Sequence, residues 1–318
     1  MSFFTGKNVL VTGAAGLAGS AAVLRLLDEG SNVRATVFNS RKLNFENSNL
    51  EVVKCDLHNY QSCLDVTADI DIVLNFVAYI RGAKGQVDSP TSLVRNNVNP
   101  AMNMIDAAAT SGVERFGFVG SSTSYPPSDN PILESQGFDD EPYPCYEGVG
   151  WMKRYSEKVC QYFHKNSNTK FAMTRTTAIY GPRDNFNERG HVIPQLILKA
   201  NRRDDPFEVW GDGGQIRDFI YVDDLVDGLL HVVEHHAIAD PVNIATGTPT
   251  DVKTLARTIT DAYEYRPKFY FDETKPTMIP KRLVDVTKAS DLGWNAKTDL
   301  EAGIKKTVNW YRNFKRIS

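Results

Sequence analysis

The stretch "VTGAAGLAGS", Val11 to Ser20, constrains the fold of this chain more than any other. It joins a short apolar run, "KNVLVTG", to "GLAGSAAVLRLLDEG", where Leu17, Ala21, Val23, Leu24 and Leu27 fall at helical spacing. The first reads as a strand buried on both faces, the second as an amphipathic helix closed by Gly30. Gly13, Gly16 and Gly19 occupy the junction. The backbone there must turn sharply and come close to its ligand, and side chains at these positions would block the approach. The helix opening at Leu17 and Ala18 offers free N–H groups to an anion. A glycine triplet in this setting predicts a site for a dinucleotide pyrophosphate at Gly13, Gly16, Leu17, Ala18 and Gly19.

The rest of such a cofactor can be traced along the later strand ends. After the second strand, "NVRATVF", a carboxylate would bind a ribose 2′-OH, but the sequence reads "VFNSRK". Asn39, Ser40 and Arg41 suit a 2′-phosphate, which favours NADP and leaves NAD as the alternative. "KCDL" puts Asp56 and Leu57 where an adenine ring could rest. Val77 and Ala78, in "NFVAYIRGAKG", and Asn97 fall where the second half of the cofactor would pass.

"LEVVKCDL", "IDIVLNFVA", "VERFGFVGSS" and "KFAMTRTTAIYG" read as further strands. "NPAMNMIDAAATSG", with Pro100 near its start, and "WMKRYSEKVCQYFHKN" read as helices between them. The alternation predicts an α/β fold, a Rossmann-type doubly wound parallel sheet. After about residue 180 the pattern loosens, and the helices "VIPQLILKANR" and "VKTLARTITDAY" stand among short strands. This predicts a smaller C-terminal α/β substrate-binding domain. Residues 1–180 and about 216–240 are assigned to the nucleotide-binding domain, 181–215 and 241–318 to the smaller one.

The 318 residues carry a net charge of −3 with both signs dispersed, so no basic block points to nucleic acid or an anionic membrane. No apolar run approaches the roughly 20 residues that span a bilayer, and the N-terminus has no signal-peptide pattern. Cys55, Cys63, Cys145 and Cys160 are scattered, without a CxxC pair. That predicts a reducing, cytoplasmic setting and no metal site.

Taken together, "TGAAGLAG", "CDL", "GSSTSYP", "YGPRDNF", "HVIPQLI" and "VWGDGGQIRDFIYVDDL" resemble the extended short-chain dehydrogenase/reductase, or NAD-dependent epimerase/dehydratase, family. Within it the likeness is greatest to the GDP-fucose synthases, and it runs from Lys7 to about Tyr311. The resemblance implies hydride transfer between a nicotinamide and a sugar carbon, with a Tyr as acid, a Lys that lowers its pKa and holds the ribose, and a Ser that bonds the same oxygen. Ser121 matches the Ser and Lys153 the Lys, but Val149 stands at the Tyr position. Valine cannot donate or accept a proton. Tyr146, seven residues before Lys153, is a candidate substitute, whereas Tyr155 should point elsewhere. The resemblance also implies epimerisation by a Cys and a His. His191 matches the His, Thr123 stands at the Cys position, and Lys199 falls where an assisting Arg belongs. A hydroxyl is a poor proton carrier beside a thiol, so one inversion is expected rather than two. Asn185, Trp210, Arg217 and Arg282 match positions that hold a nucleotide-sugar. Two readings stand: a nucleotide-sugar epimerase or reductase, or a silent protein, natural or engineered, that binds NADP or a nucleotide-sugar. The family also implies a homodimer formed through helices near 98–111 and 150–165.

Overall fold

The computed structural model describes residues 2–38, 43, 45–79, 90–187 and 190–317. Its strands are β1 (Asn8–Thr12), β2 (Asn32–Val37), β3 (Leu50–Lys54), β4 (Ile72–Asn75), β5 (Arg115–Ser121), β6 (Lys170–Thr176), β7 (Ala178–Tyr180), β8 (Phe207–Trp210), β9 (Ile216–Arg217), β10 (Phe219–Tyr221), β11 (Val242–Ile244), β12 (Thr250–Asp251) and β13 (Phe269–Asp272). The described helices are α1 (Leu17–Asp28), α2 (Tyr60–Thr67), α3 (Pro90–Thr110), α4 (Glu147–Asn166), α5 (Val192–Arg202), α6 (Val222–His235), α7 (Val252–Ala262), α8 (Thr287–Asp291) and α9 (Leu300–Ile317).

Seven strands form one parallel sheet in the order β11-β6-β5-β4-β1-β2-β3. The chain moves one way from β1 to β3 and then crosses to β4 on the other side, so the crevice above β1 and β4 is the topological switch point. Alternation within the strands divides the core. Val9, Val11, Ile72 and Leu74 pack with Val23 and Leu26 of α1 and Leu225 and Leu229 of α6. Leu10, Val73, Phe116 and Phe171 face Met104 and Ile105 of α3 and Cys160 of α4 on the opposite side. Each such fully buried aliphatic or aromatic side chain is worth about 1.5–3 kcal/mol over its exposed state. A third cluster joins Leu196 and Ile197 of α5, Leu255 and Ile259 of α7, and Ile304 and Val308 of α9 to Phe207 and Val209 of β8. Among the described residues no helix is long and apolar enough to cross a membrane.

Several boundaries differ from the sequence-based reading. The helix expected to start near Pro100 begins at Pro90 and carries Pro100 inside it. The helix expected from Trp151 begins at Glu147, so Val149 is helical. "KFAMTRTTAIYG" breaks at Thr177 into β6, which stays in the sheet, and β7, which pairs with β10 instead. The buried Asp218 fixes that break, accepting hydrogen bonds from Thr177 Oγ1, from Thr246 and from the Gly247 N–H. β11 lies in the segment assigned to the smaller domain, yet it pairs with β6 and completes the main sheet. A strand of three residues is too short for its periodicity to announce it.

Candidate active site

The glycine loop comes first because its geometry is the tightest. Gly13 has φ +63°, and a Cβ there would lie 3.1 Å from the Phe76 carbonyl carbon. At Gly19 a Cβ would come within 2.3 Å of the Gly13 carbonyl oxygen. Gly16 is the N-cap of α1 and no side chain caps that end. The first-turn N–H groups therefore face the sheet's C-terminal edge without a side-chain competitor, which fits a dinucleotide pyrophosphate. Thr12 Oγ1 donates to Asn75 Oδ1 (2.6 Å) and accepts from the Val77 N–H (3.3 Å), tying β1 to β4 at the switch point. Asn97 brackets Tyr79 through both its N–H and its carbonyl, and the neighbouring Ala78 is exposed. Leu57 is buried, with its carbonyl held by Asn103 Nδ2, while Asp56 stays accessible at the rim. Asn39, Ser40 and Arg41 lie outside the described residues. Gly19→Ala is expected to lower the melting temperature and to weaken dinucleotide binding at least about tenfold, since overpacking costs about 1–3 kcal/mol. Calorimetric titration and a thermal melt of the variant check this.

Ser121 ends β5 in the same crevice. Its Oγ accepts hydrogen bonds from the Thr123 N–H (3.1 Å) and Thr123 Oγ1 (3.0 Å). With both acceptor positions used, the Ser121 proton is left to donate to a ligand. Thr123, at the position of the family's Cys, thus orients Ser121. Lys153 Nζ donates to the Val119 carbonyl (2.9 Å) and lies 5.3 Å from the Phe118 ring centroid. Burial pushes its ammonium down to about 8, with Glu157 and Cys160 opposing. Val149, half-buried, is one turn earlier on the same face of α4.

Tyr146 is the N-cap of α4, and the structure brings it to a different partner from the one expected. The Arg282 guanidinium lies 4.2 Å from its ring centroid. Arg282 is buried, and its Nη2 has no hydrogen-bond partner. Among the described residues Arg217, adjacent to it, donates to the Ile216 and Pro280 carbonyls. Burial pushes both guanidinium groups below the usual arginine range. Among the described residues neither has a carboxylate partner. Two neighbouring cations with a free donor form a place that calls for an anion, and a diphosphate matches guanidinium forks. Tyr146 and Lys153 are seven residues apart on α4, so this cationic pocket and the Ser121–Lys153 pair are separated by about 10 Å along one helix.

His191 is the N-cap of α5. Its side chain is exposed, yet desolvation by the protein around it lowers its pKa below the ordinary histidine value. No described residue hydrogen-bonds the imidazole. Asn185 sits in the preceding loop, bonded to Asn187 and Asp184. Lys199 lies eight residues beyond His191, about 12 Å along the helix. It pairs with Glu208 (2.7 Å), which also accepts from Trp210 Nε1 (3.3 Å). Trp210 remains largely exposed. Two residues near the site were not singled out by sequence. Among the described residues Asp184 Oδ2 has no hydrogen-bond partner, and burial raises its carboxyl to about 6. Its place beside Asn185 in "RDNF" was the available signal. Cys145 is exposed and feels both Arg282 and Arg217, though burial still raises its thiol.

The sequence profile of the NAD dependent epimerase/dehydratase family matches residues 9–245. A "Putative GDP-L-fucose synthase 2" from Arabidopsis thaliana is 30% identical, over 98% of this chain and 94% of its own. The solved UDP-glucose 4-epimerase of Thermotoga maritima, with UDP-glucose, superposes with a TM-score of 0.84 at 25% identity, over 97% of this chain and 99% of that one. MoeE5, solved with UDP-glucose and NAD, gives a TM-score of 0.81 at 28% identity, over 98% of this chain and 100% of that one.

Proposed function

The chain belongs to the NAD dependent epimerase/dehydratase family of extended short-chain dehydrogenases/reductases, and on that premise we propose that it acts on a nucleotide-activated 4-keto-6-deoxy hexose. The reaction is reduction of the ketone, epimerisation beside it, or both, and GDP is the nucleotide we favour. The observation that carries this reading is the paired Arg217 and Arg282, free of carboxylates, at the N-terminal end of the helix that bears Lys153. A diphosphate there would lay its sugar toward Ser121.

The dinucleotide would be held by the N–H groups of Leu17, Ala18 and Gly19, with Asp56 and Leu57 at its base and Lys153 at its nicotinamide ribose. We favour NADP over NAD, because "VFNSRK" offers no carboxylate to a ribose 2′-OH. Bound there, the cofactor supplies or takes a hydride at the sugar carbon. Ser121 donates its free proton toward the ketone oxygen and fixes the carbonyl. His191, in its neutral form, removes a proton from a carbon that the ketone acidifies. We also favour a homodimer through α3 and α4, supported by the exposed Trp151, Tyr155 and Tyr162 on α4 and readable by light scattering.

Val149 is the observation that favours the other reading, a silent binding protein. Incubation with NADPH and GDP-4-keto-6-deoxymannose separates the two. Loss of the nicotinamide absorbance is the expected result, and intact NADPH with an unchanged sugar would favour the silent protein. In deuterated water the sugar should also take up deuterium through His191. The base must be neutral, and its pKa is depressed, so uptake should climb with pH below about 6.5 and level off above. His191→Asn should reduce uptake about 100-fold or more. A slope continuing through pH 8 would assign the proton to another group.

A further inference from the structure

We infer that Lys153 Nζ itself gives the proton to the sugar oxygen, in place of the side chain that position 149 lacks. This rests on the sugar-reductase reading above. Val149 and Lys153 share one face of α4 at a spacing of four, so Lys153 stands one turn from the vacated phenol position. The alternatives are engaged elsewhere. Tyr146 lies against Arg282. Tyr125 is buried, donating to Asn243 and accepting from Arg175. Both carboxylate oxygens of Glu157 are held by Arg175.

The geometry leaves Lys153 protons to give. An ammonium has three donors, and one goes to the Val119 carbonyl. A small polar cavity lined by Asn75, Asn97, Ser156 and Lys153 adjoins it, with room for about one water. The other two donors are open to ligands, one to the nicotinamide ribose and one to the sugar oxygen, and Ser121 lies two residues beyond Val119, about 7 Å along β5. Among the described residues, the groups facing the amine are Glu157, Cys160 and Ser156 from its own helix, Val119 from β5, Asn75 from β4 and Asn97 from α3. Only Glu157 is charged, and Arg175 neutralises it. Burial without an ion pair of its own holds the amine near 8, where an acid serves well at neutral pH.

The step balances. When hydride reaches the carbonyl carbon, the π pair moves onto oxygen. An oxygen lone pair then takes a proton from Nζ, and the N–H bonding pair stays on nitrogen. The neutral amine is reprotonated from solvent.

The test compares the reduction rate of GDP-4-keto-6-deoxymannose by NADPH across pH in the unaltered protein, Lys153→Arg and Val149→Tyr. The unaltered protein should lose about tenfold in rate per pH unit above 8, because the acid form disappears. Lys153→Arg keeps the charge but a guanidinium holds its proton, so the rate should fall about 100-fold or more. A separate readout needs no turnover: in cofactor-free protein with isotope-labelled lysine side chains, one resonance missing from Lys153→Arg should titrate near 8. A value above about 10, the ordinary lysine range, a rate flat to about pH 9.5, or near-full activity in Lys153→Arg overturns the inference and leaves the sugar reading intact. An inert parent with an active Val149→Tyr overturns it likewise. If both are inert, the sugar reading fails and the inference with it.

Discussion

Replacing Arg282 by methionine is expected to weaken nucleotide-sugar binding about 100-fold, or about 2.7 kcal/mol, without destabilising the free protein. The two halves of this result have one cause. Arg282 is buried with Nη2 unpaired, and an unsatisfied buried donor costs about 1–3 kcal/mol. Its stacking on Tyr146 offsets about 1 kcal/mol of that. Methionine fills similar volume and removes the orphan, so the melting temperature should hold or rise. The charge-assisted bonds that a diphosphate would make to Arg282 vanish with it. NADPH affinity should change little, because the dinucleotide site is built from the loop after β1. Calorimetric titration with a GDP-sugar beside a thermal melt reads both halves. A large drop in melting temperature with binding retained would make Arg282 a structural residue only.

The second large effect concerns what holds Ser121 in place. Arg175 and Glu157 form a bidentate ion pair at 3.0 and 2.8 Å, with 2% and 1% of their side chains exposed. Arg175 also donates to Tyr125 Oη and to the Glu134 carbonyl, and β6 pairs Thr176 with Ser121. Glu157→Ala strands a buried guanidinium and should cost about 3–5 kcal/mol, lowering the melting temperature by on the order of 10 °C. Replacing both partners at once, Arg175→Met with Glu157→Leu, should recover most of that loss, because the attraction between two desolvated charges barely exceeds the cost of burying them. A denaturant series on the three proteins measures it. A double variant no better than Glu157→Ala would mean that the hydrogen bonds of Arg175 to Tyr125 and Glu134 matter more than the charge.

Local signals made much of this fold legible. The triplet Gly13, Gly16 and Gly19 announced its turn because strand, turn and helix lie within one short stretch, and the central strands β1 and β4 are short, mostly apolar runs. Ser121 and Lys153 were readable from motif position, and Val149 as a departure from it. What sequence could not carry were pairings between distant segments. Tyr146 meets Arg282 from a far part of the chain, and no local pattern announces such a contact. The free Ser121 proton depends on which way Thr123 donates. Lys199 was singled out by its motif position, which does not say that Glu208, on another element, would pair with it. Pro100 read as a helix start because its missing N–H usually marks one, yet packing between α3 and the sheet carries the helix through it.

Hydride transfer to a sugar carbon is the central claim, and isotope transfer tests it most directly. NADPH deuterated at the transferable position would be mixed with the protein and GDP-4-keto-6-deoxymannose, and the sugar nucleotide examined by mass spectrometry. The account predicts a reduced product carrying the cofactor's deuterium at the former carbonyl carbon. A sugar recovered without cofactor-derived deuterium, from a protein that binds both molecules, would contradict it and leave a binding protein in which position 149 has ended the chemistry.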